Sequence, residues 1–135
     1  MSEQVTPSDI MHQFDQAWNQ HNVDQVMGSF ADDGVVEIRP GLPGMPDTYR
    51  NKTQIQRFVD GLMRGVHVES HDAEARGDEL RWRSRISSDE FRQLGLDTLS
   101  CDVELKLNQQ GKVERLVVTV PPSVVALIEG APKTR

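Results

Sequence analysis

A chain of 135 residues with 21 acidic against 15 basic side chains, a formal net charge of −6, is expected to form one domain over residues 1–135, long enough for a sizeable core. The acidic balance argues against nucleic acid or an anionic membrane as partner, since both want a basic surface. The single cysteine, Cys101, rules out an internal disulfide; with no signal-peptide character in MSEQVTPSDI and no apolar run of roughly 18 residues, a cytoplasmic protein in a reducing compartment is expected.

The first helix opens at Thr6-Pro7-Ser8-Asp9, with Ser8 predicted as its N-cap, and Ile10, Phe14, Ala17 and Trp18 recur along one apolar stripe. It ends near Gln20-His21, with His12 and His21 toward solvent. Asn22 then caps a short helix from Val23 to Phe30, with Val23, Val26, Met27 and Phe30 on one face. Asp32-Asp33-Gly34 turns the chain into a strand from Val35 to Arg39. The prolines of Pro40-Gly41-Leu42-Pro43-Gly44-Met45-Pro46 lack ladder donors and its glycines are permissive, so a loop over a cavity mouth is predicted. Tyr49-Arg50-Asn51 leads into a third helix, Lys52 to Met63, which buries Ile55, Phe58, Val59 and Leu62.

Gly77-Asp78 is a two-residue turn signal between two runs of alternating polarity, and it predicts a β-hairpin. Counting back from that turn sets Arg76 opposite Glu79, Glu74 opposite Arg81, Ala73 opposite Trp82, Asp72 opposite Arg83 and His71 opposite Ser84. Cross-strand partners share a face. Glu74 with Arg81 and Asp72 with Arg83 then form a solvated ladder of opposite charges, while Trp82, Ser84 and Ile86 face inward together with His67, Glu69 and His71.

Beyond the hairpin, Asp89 to Thr98 is predicted to hold a helical turn carrying Phe91 and Leu94. A strand from Leu99 to Leu107, a turn at Asn108 to Gly111 and a last strand from Val113 to Val120 follow. Pro121-Pro122 ends the sheet, and Ser123 caps a short apolar helix with Val124, Leu127 and Ile128. Cys101 shares the inner parity of Val103 and Leu105, and Glu104 on the outer face is expected to pair with Arg115. Val113 and Val117 on that face suggest a partly apolar convex surface suited to a homodimer. The element order predicts an α+β fold, a curved antiparallel sheet wrapped over about three N-terminal helices and enclosing a cone-shaped cavity, as in a cystatin-like α+β barrel.

This order, with the stretch AWNQHNVDQVMGSFADDGVVEI, the YRN entry to a helix and the closing LKLNQQGKVERLVV, resembles the nuclear transport factor 2-like superfamily from about Ile10 to Val120, and within it the SnoaL-like proteins. The resemblance implies the cone fold but not the activity, because the superfamily spans ketosteroid isomerases, limonene epoxide hydrolases, polyketide cyclases, polyether epoxide-opening cyclases, dehydratases and non-catalytic binders. Matching the ketosteroid isomerase motifs places Phe14 at the tyrosine, Ile38 at the proton-moving aspartate and Val103 at the second acid, so all three functional groups are missing. The last aspartate of the limonene epoxide hydrolase relay falls at Val118, and Trp82, Ser84 and Ile86 stand where its arginine and aspartate would face inward.

The residues themselves direct attention to the inward trio. Glu69 between two histidines in an apolar cone would be penalised as an anion and rescued by an imidazolium, a recipe for acid–base work near neutral pH. Glu69, His71 and His67 are therefore the expected catalytic residues, with His71 in contact with the ligand. The competing reading is a mutually satisfied structural pair in a lined pocket. HxExH on one strand face also offers metal ligands but has no fourth in sequence, so no metal and no cofactor are expected. The expected ligand-binding residues are Phe14, Trp18, Met27, Ile38, Tyr49, Phe58, Trp82, Ser84, Val103 and Val118. The expected ligand is a hydrophobic small molecule, polycyclic or polyketide-like, handled by cofactor-free proton transfer; the alternative is a binding or interaction module without chemistry.

Overall fold

The computed structural model describes residues 6–39, 47–93, 95 and 97–121. The loop expected at 40–46, Leu94 and the terminal helix expected after Ser123 lie outside those residues.

Three helices, two ahead of the first strand and one after the second, are each started by a side chain that satisfies orphan backbone donors. Helix α1 (Pro7–Asn19) is capped by Thr6 rather than Ser8. The Thr6 hydroxyl accepts from the Asp9 N–H at 3.1 Å while the Asp9 carboxylate accepts from the Thr6 N–H at 3.1 Å. Proline fits as the first residue inside such a box because its missing N–H would have no partner there anyway. Helix α2 (Val23–Gly28) is capped by Asn22, as its sequence suggests, and ends two residues earlier than expected. Residues from Phe30 onward already pair as strand. In α3 (Asn51–Met63) the capping oxygen belongs to Asn51, which accepts from the Thr53 and Gln54 N–H groups at 3.0 and 3.2 Å. Its buried face is Ile55, Phe58, Val59 and Leu62.

Six strands form one sheet: β1 (Phe30–Arg39), β2 (Thr48–Arg50), β3 (His67–Arg76), β4 (Glu79–Ser87), β5 (Leu99–Leu107) and β6 (Val113–Thr119), in the order β2-β1-β6-β5-β4-β3. A short helix α4 (Asp89–Gln93) buries Phe91 between β4 and β5 in sequence. The fold is α+β, but the sheet is mixed and open. The β1–β6 pair is parallel, and the edge strands β2 and β3 do not meet, so the barrel part of the expectation does not hold. The core lies between the inner face of the sheet and α1 to α3, with Phe30, Ile55, Leu99 and Leu105 among its fully buried side chains.

The hairpin turns at Gly77, whose φ of +61° is one that glycine adopts without steric cost. Next to the turn the expected register holds: Arg76 opposes Glu79, Ala75 opposes Leu80 and Glu74 opposes Arg81. Then β3 bulges. Asp72 and Ala73 together stand against Trp82, and beyond them His71 opposes Arg83, Ser70 opposes Ser84 and Val68 opposes Ile86. One extra residue on one strand reverses the faces of everything past it. Asp72 takes the kink with φ +61°, a conformation that short polar side chains tolerate better than most.

The outer face is charged. Glu37 accepts from Arg115 at 3.0 Å and also from Arg39, so Arg115 pairs with Glu37 instead of the expected Glu104, which stands opposite Val117. Arg83 meets Asp102 at 3.6 Å in place of the expected Asp72, while Glu74 stands opposite Arg81 as expected and also meets Arg76 at 3.4 Å. Val113 is buried because the β5–β6 register shifts by Leu107. Of the two valines expected on a partly apolar convex surface, Val117 keeps the outer parity opposite Glu104 but is itself buried.

One flank of α1 is stitched to the outer edge of β3. The Asn19 amide nitrogen donates to the Val68 carbonyl at 2.8 Å and its oxygen accepts from the Val68 N–H at 2.7 Å. His21 Nε2 bonds the Val66 carbonyl at 2.9 Å.

Candidate functional site

The hollow between sheet and helices is built from six elements and one loop residue. Helix α1 contributes Phe14, Asp15 and Trp18, and α3 contributes Phe58 and Leu62. The sheet supplies Val68, Trp82, Ser84, Ile86, Val103, Leu116 and Val118, with Val66 just before β3. Aromatic rings occupy most of the space. Phe14 packs on Trp18 at 6.3 Å and on Trp82 at 6.0 Å between ring centroids, and Trp18 meets Phe58 edge-on at 6.1 Å. What remains is a cavity of about 40 Å³, room for little more than a water molecule or two.

Of the expected ligand-binding residues, Phe14, Trp18, Phe58, Trp82, Ser84, Val103 and Val118 line this hollow. Met27, Ile38 and Tyr49 are buried in the core around it, Tyr49 with its ring 5.1 Å from Phe58. The trio is placed otherwise. His67, Glu69 and His71 lie on the outer face, with side chains 59%, 67% and 56% exposed. His67 bonds Glu69 at 3.1 Å and His71 bonds Asp72 at 2.9 Å, both in solvent. The bulge at Asp72-Ala73 causes this correction, since it hands the inner positions of β3 to Val68 and Ser70. Among the described residues, no three of His, Cys, Asp and Glu come close enough together to hold a metal ion.

The ionisable group in the hollow is Asp15, 8% exposed. Its Oδ1 accepts a hydrogen bond from Ser70 Oγ at 2.8 Å, and Ser70 Oγ lies 2.7 Å from Ser84 Oγ. Burial pushes the Asp15 pKa above its ordinary value, against the pull of hydrogen bonds from the Ser70 side chain and backbone and the weaker influence of His12 and His67. Sequence reasoning passed over Asp15 and Ser70. The available signal was a carboxylate on the stripe of Met11 and Trp18, four and three residues away, where a helix turns its apolar face inward.

A buried acid backed by two hydroxyls, opening on apolar rings, can hold and exchange one proton and present one hydrogen-bonding group to a hydrophobic molecule. The model of the SnoaL-like domain family matches residues 11–106. The chain belongs to that family. Solved structures similar to this SnoaL-like domain share its nuclear transport factor 2-like fold at low identity. An NTF2-like protein of unknown function from Cytophaga hutchinsonii is 14% identical, with a TM-score of 0.69 over 92% of this chain and 97% of its own. The epoxide hydrolase/cyclase-like enzyme SalBIII, associated with pyran ring formation in the polyether salinomycin, is 14% identical, with a TM-score of 0.71 over 87% of this chain and 92% of its own. A computationally designed 17-OHP binder is 15% identical, with a TM-score of 0.74 over 89% of this chain and 95% of its own. No curated protein matches the SnoaL-like chain. No helix of the described residues is long and apolar enough to cross a membrane.

Proposed function

We propose that the SnoaL-like domain binds a hydrophobic small molecule in its hollow and performs cofactor-free proton transfer there, with Asp15 in place of the histidine and glutamate trio as the proton-holding group. The observation that carries this reading is a carboxyl group buried among aromatic and aliphatic side chains with its pKa raised. Desolvating a carboxylate costs free energy, and a buried acid with a raised pKa at the wall of a hollow is the kind of group that proton-transfer sites use. The positions matched to isomerase and epoxide hydrolase acids are the buried and apolar Ile38, Val103 and Val118, so the chemistry would run through one acid only. A cavity of about 40 Å³ admits a ligand if Phe14 turns aside; its ring is the partly buried one in the aromatic cluster.

The test is a screen of compact hydrophobic ketones, epoxides and alcohols. Binding is read from Trp18 and Trp82 fluorescence and turnover by product analysis, in the wild type and in D15N. Binding in both proteins with turnover lost in D15N supports the reading; turnover undiminished in D15N overturns the role of Asp15. The filled state of the cavity favours a second reading, an interaction module whose hollow is simply core. Failure of every ligand to bind, even when Phe14 is truncated, would establish that alternative.

A further inference from the structure

The bond between Ser70 and Ser84 has a direction that chemistry can assign. A serine hydroxyl has one proton to donate and two lone pairs to accept with. While Asp15 is ionised, it accepts only, so the Ser70 proton is committed to Asp15 Oδ1 across 2.8 Å. The 2.7 Å contact between the two hydroxyls must then be donated by Ser84. That leaves Ser84, which lines the hollow, with lone pairs and no proton to offer. A neutral Asp15 can donate to Ser70, Ser70 to Ser84, and Ser84 into the hollow.

We propose that Ser84 is the ligand-contacting polar group of the hollow, that Asp15 sets its hydrogen-bond polarity through Ser70, and that the ionised site selects a compact hydrophobic molecule bearing a hydroxyl donor, such as a phenol, over one bearing only an acceptor. This rests on the reading of the hollow as a ligand site. The charged groups that act on Asp15 are His12 from its own helix and His67 from the outer side of β3, both at a distance and both weakly lowering its pKa; β4 presents the uncharged Ser84 hydroxyl. Asp15 and Ser70 are positioning residues here, since neither needs to touch the ligand.

The probes are phenol, which can donate, and anisole, which can only accept, titrated by calorimetry at pH 7.5 into the wild type, S84A, D15N and F14A. F14A enlarges the hollow in case the native cavity is too small, with F14L in its place if F14A does not fold. A preference for phenol over anisole in the wild type or F14A is expected. It should fall roughly five- to tenfold in S84A, the worth of one hydrogen bond. D15N, combined with F14A where needed, should reduce or reverse the preference because its neutral amide can donate to Ser70. A phenol-to-anisole ratio unchanged by S84A and D15N overturns this inference while leaving ligand binding intact. Binding of neither probe to any of the proteins overturns the ligand-site reading and this inference with it.

Discussion

Ser70 and Ser84 face each other across the β3–β4 pair with their hydroxyl oxygens 2.7 Å apart. A regular hairpin counted from Gly77-Asp78 would have put His71 in that place. The difference is one extra residue at Asp72-Ala73, and it exchanges an imidazole for a hydroxyl at the wall of the hollow.

The bulge depends on Asp72 at φ +61°. A β-branched residue resists that conformation, so D72V is expected to destabilise the fold by about 1–2 kcal/mol, whereas D72G should be neutral or stabilising. Urea unfolding of the two variants checks this. Equal stabilities would mean that the kink is held elsewhere.

The outward residues of the same strand should matter little. H67A, E69Q and H71A are each expected to change stability by no more than about 0.5 kcal/mol and to leave the affinity for any ligand of the hollow unaltered, as measured by denaturation and titration.

Asp15 should leave a signature in stability against pH. Its native pKa lies above the ordinary 3.8, so as pH rises the unfolded chain loses this proton first, and stability falls from about pH 4 through the native pKa before levelling. D15N should abolish that fall and be at least as stable as the wild type near neutrality. D15A should instead cost about 1–3 kcal/mol, because Ser70 loses its acceptor. Melting temperatures across pH 3–8 separate the three.

Glu37 has the opposite sign. The hydrogen bond from Arg115, helped by Arg39, holds its carboxyl below the ordinary 4.5. Its contribution is present above that value and is lost as pH falls through the lower native pKa. E37Q should therefore cost about 0.5–1 kcal/mol at neutral pH and converge on the wild type in acid.

Cys101 is buried, and burial raises its thiol pKa to about 12. Native protein at pH 8 is expected to resist iodoacetamide, since the thiolate is the reactive form, and to be alkylated once at this site in urea. Mass spectrometry reads both.

Much of the fold was legible because it rests on local signals. The Asn22 cap, the Gly77-Asp78 turn and the apolar stripe of α3 each state their structure within a few residues. Strand parity in β5 was readable for the same reason, since Cys101, Val103 and Leu105 alternate without interruption. The site was less legible because its decisive feature is a register shift in mid-strand. Charges and apolar residues between Val68 and Ala75 alternate well enough to fit either phase, and no glycine marks the bulge. Asp15 was hidden differently: on a helix wheel it is one acid on an otherwise buried face, and only the approach of Ser70 from a distant strand gives it a role. The parallel β1–β6 pairing likewise follows from long-range packing that no short stretch encodes.

The stitches between α1 and β3 carry one more consequence. β3 is the last strand of the sheet, and an unpaired strand edge is a template on which another chain can add itself. Asp15, Asn19 and His21 take up backbone groups along that free edge at Ser70, Val68 and Val66 in turn, standing in for the neighbour that such an edge would otherwise recruit. Loss of the Asn19 amide therefore threatens solubility before it threatens the fold, and N19L should polymerise edge to edge at concentrations where the wild type stays dispersed.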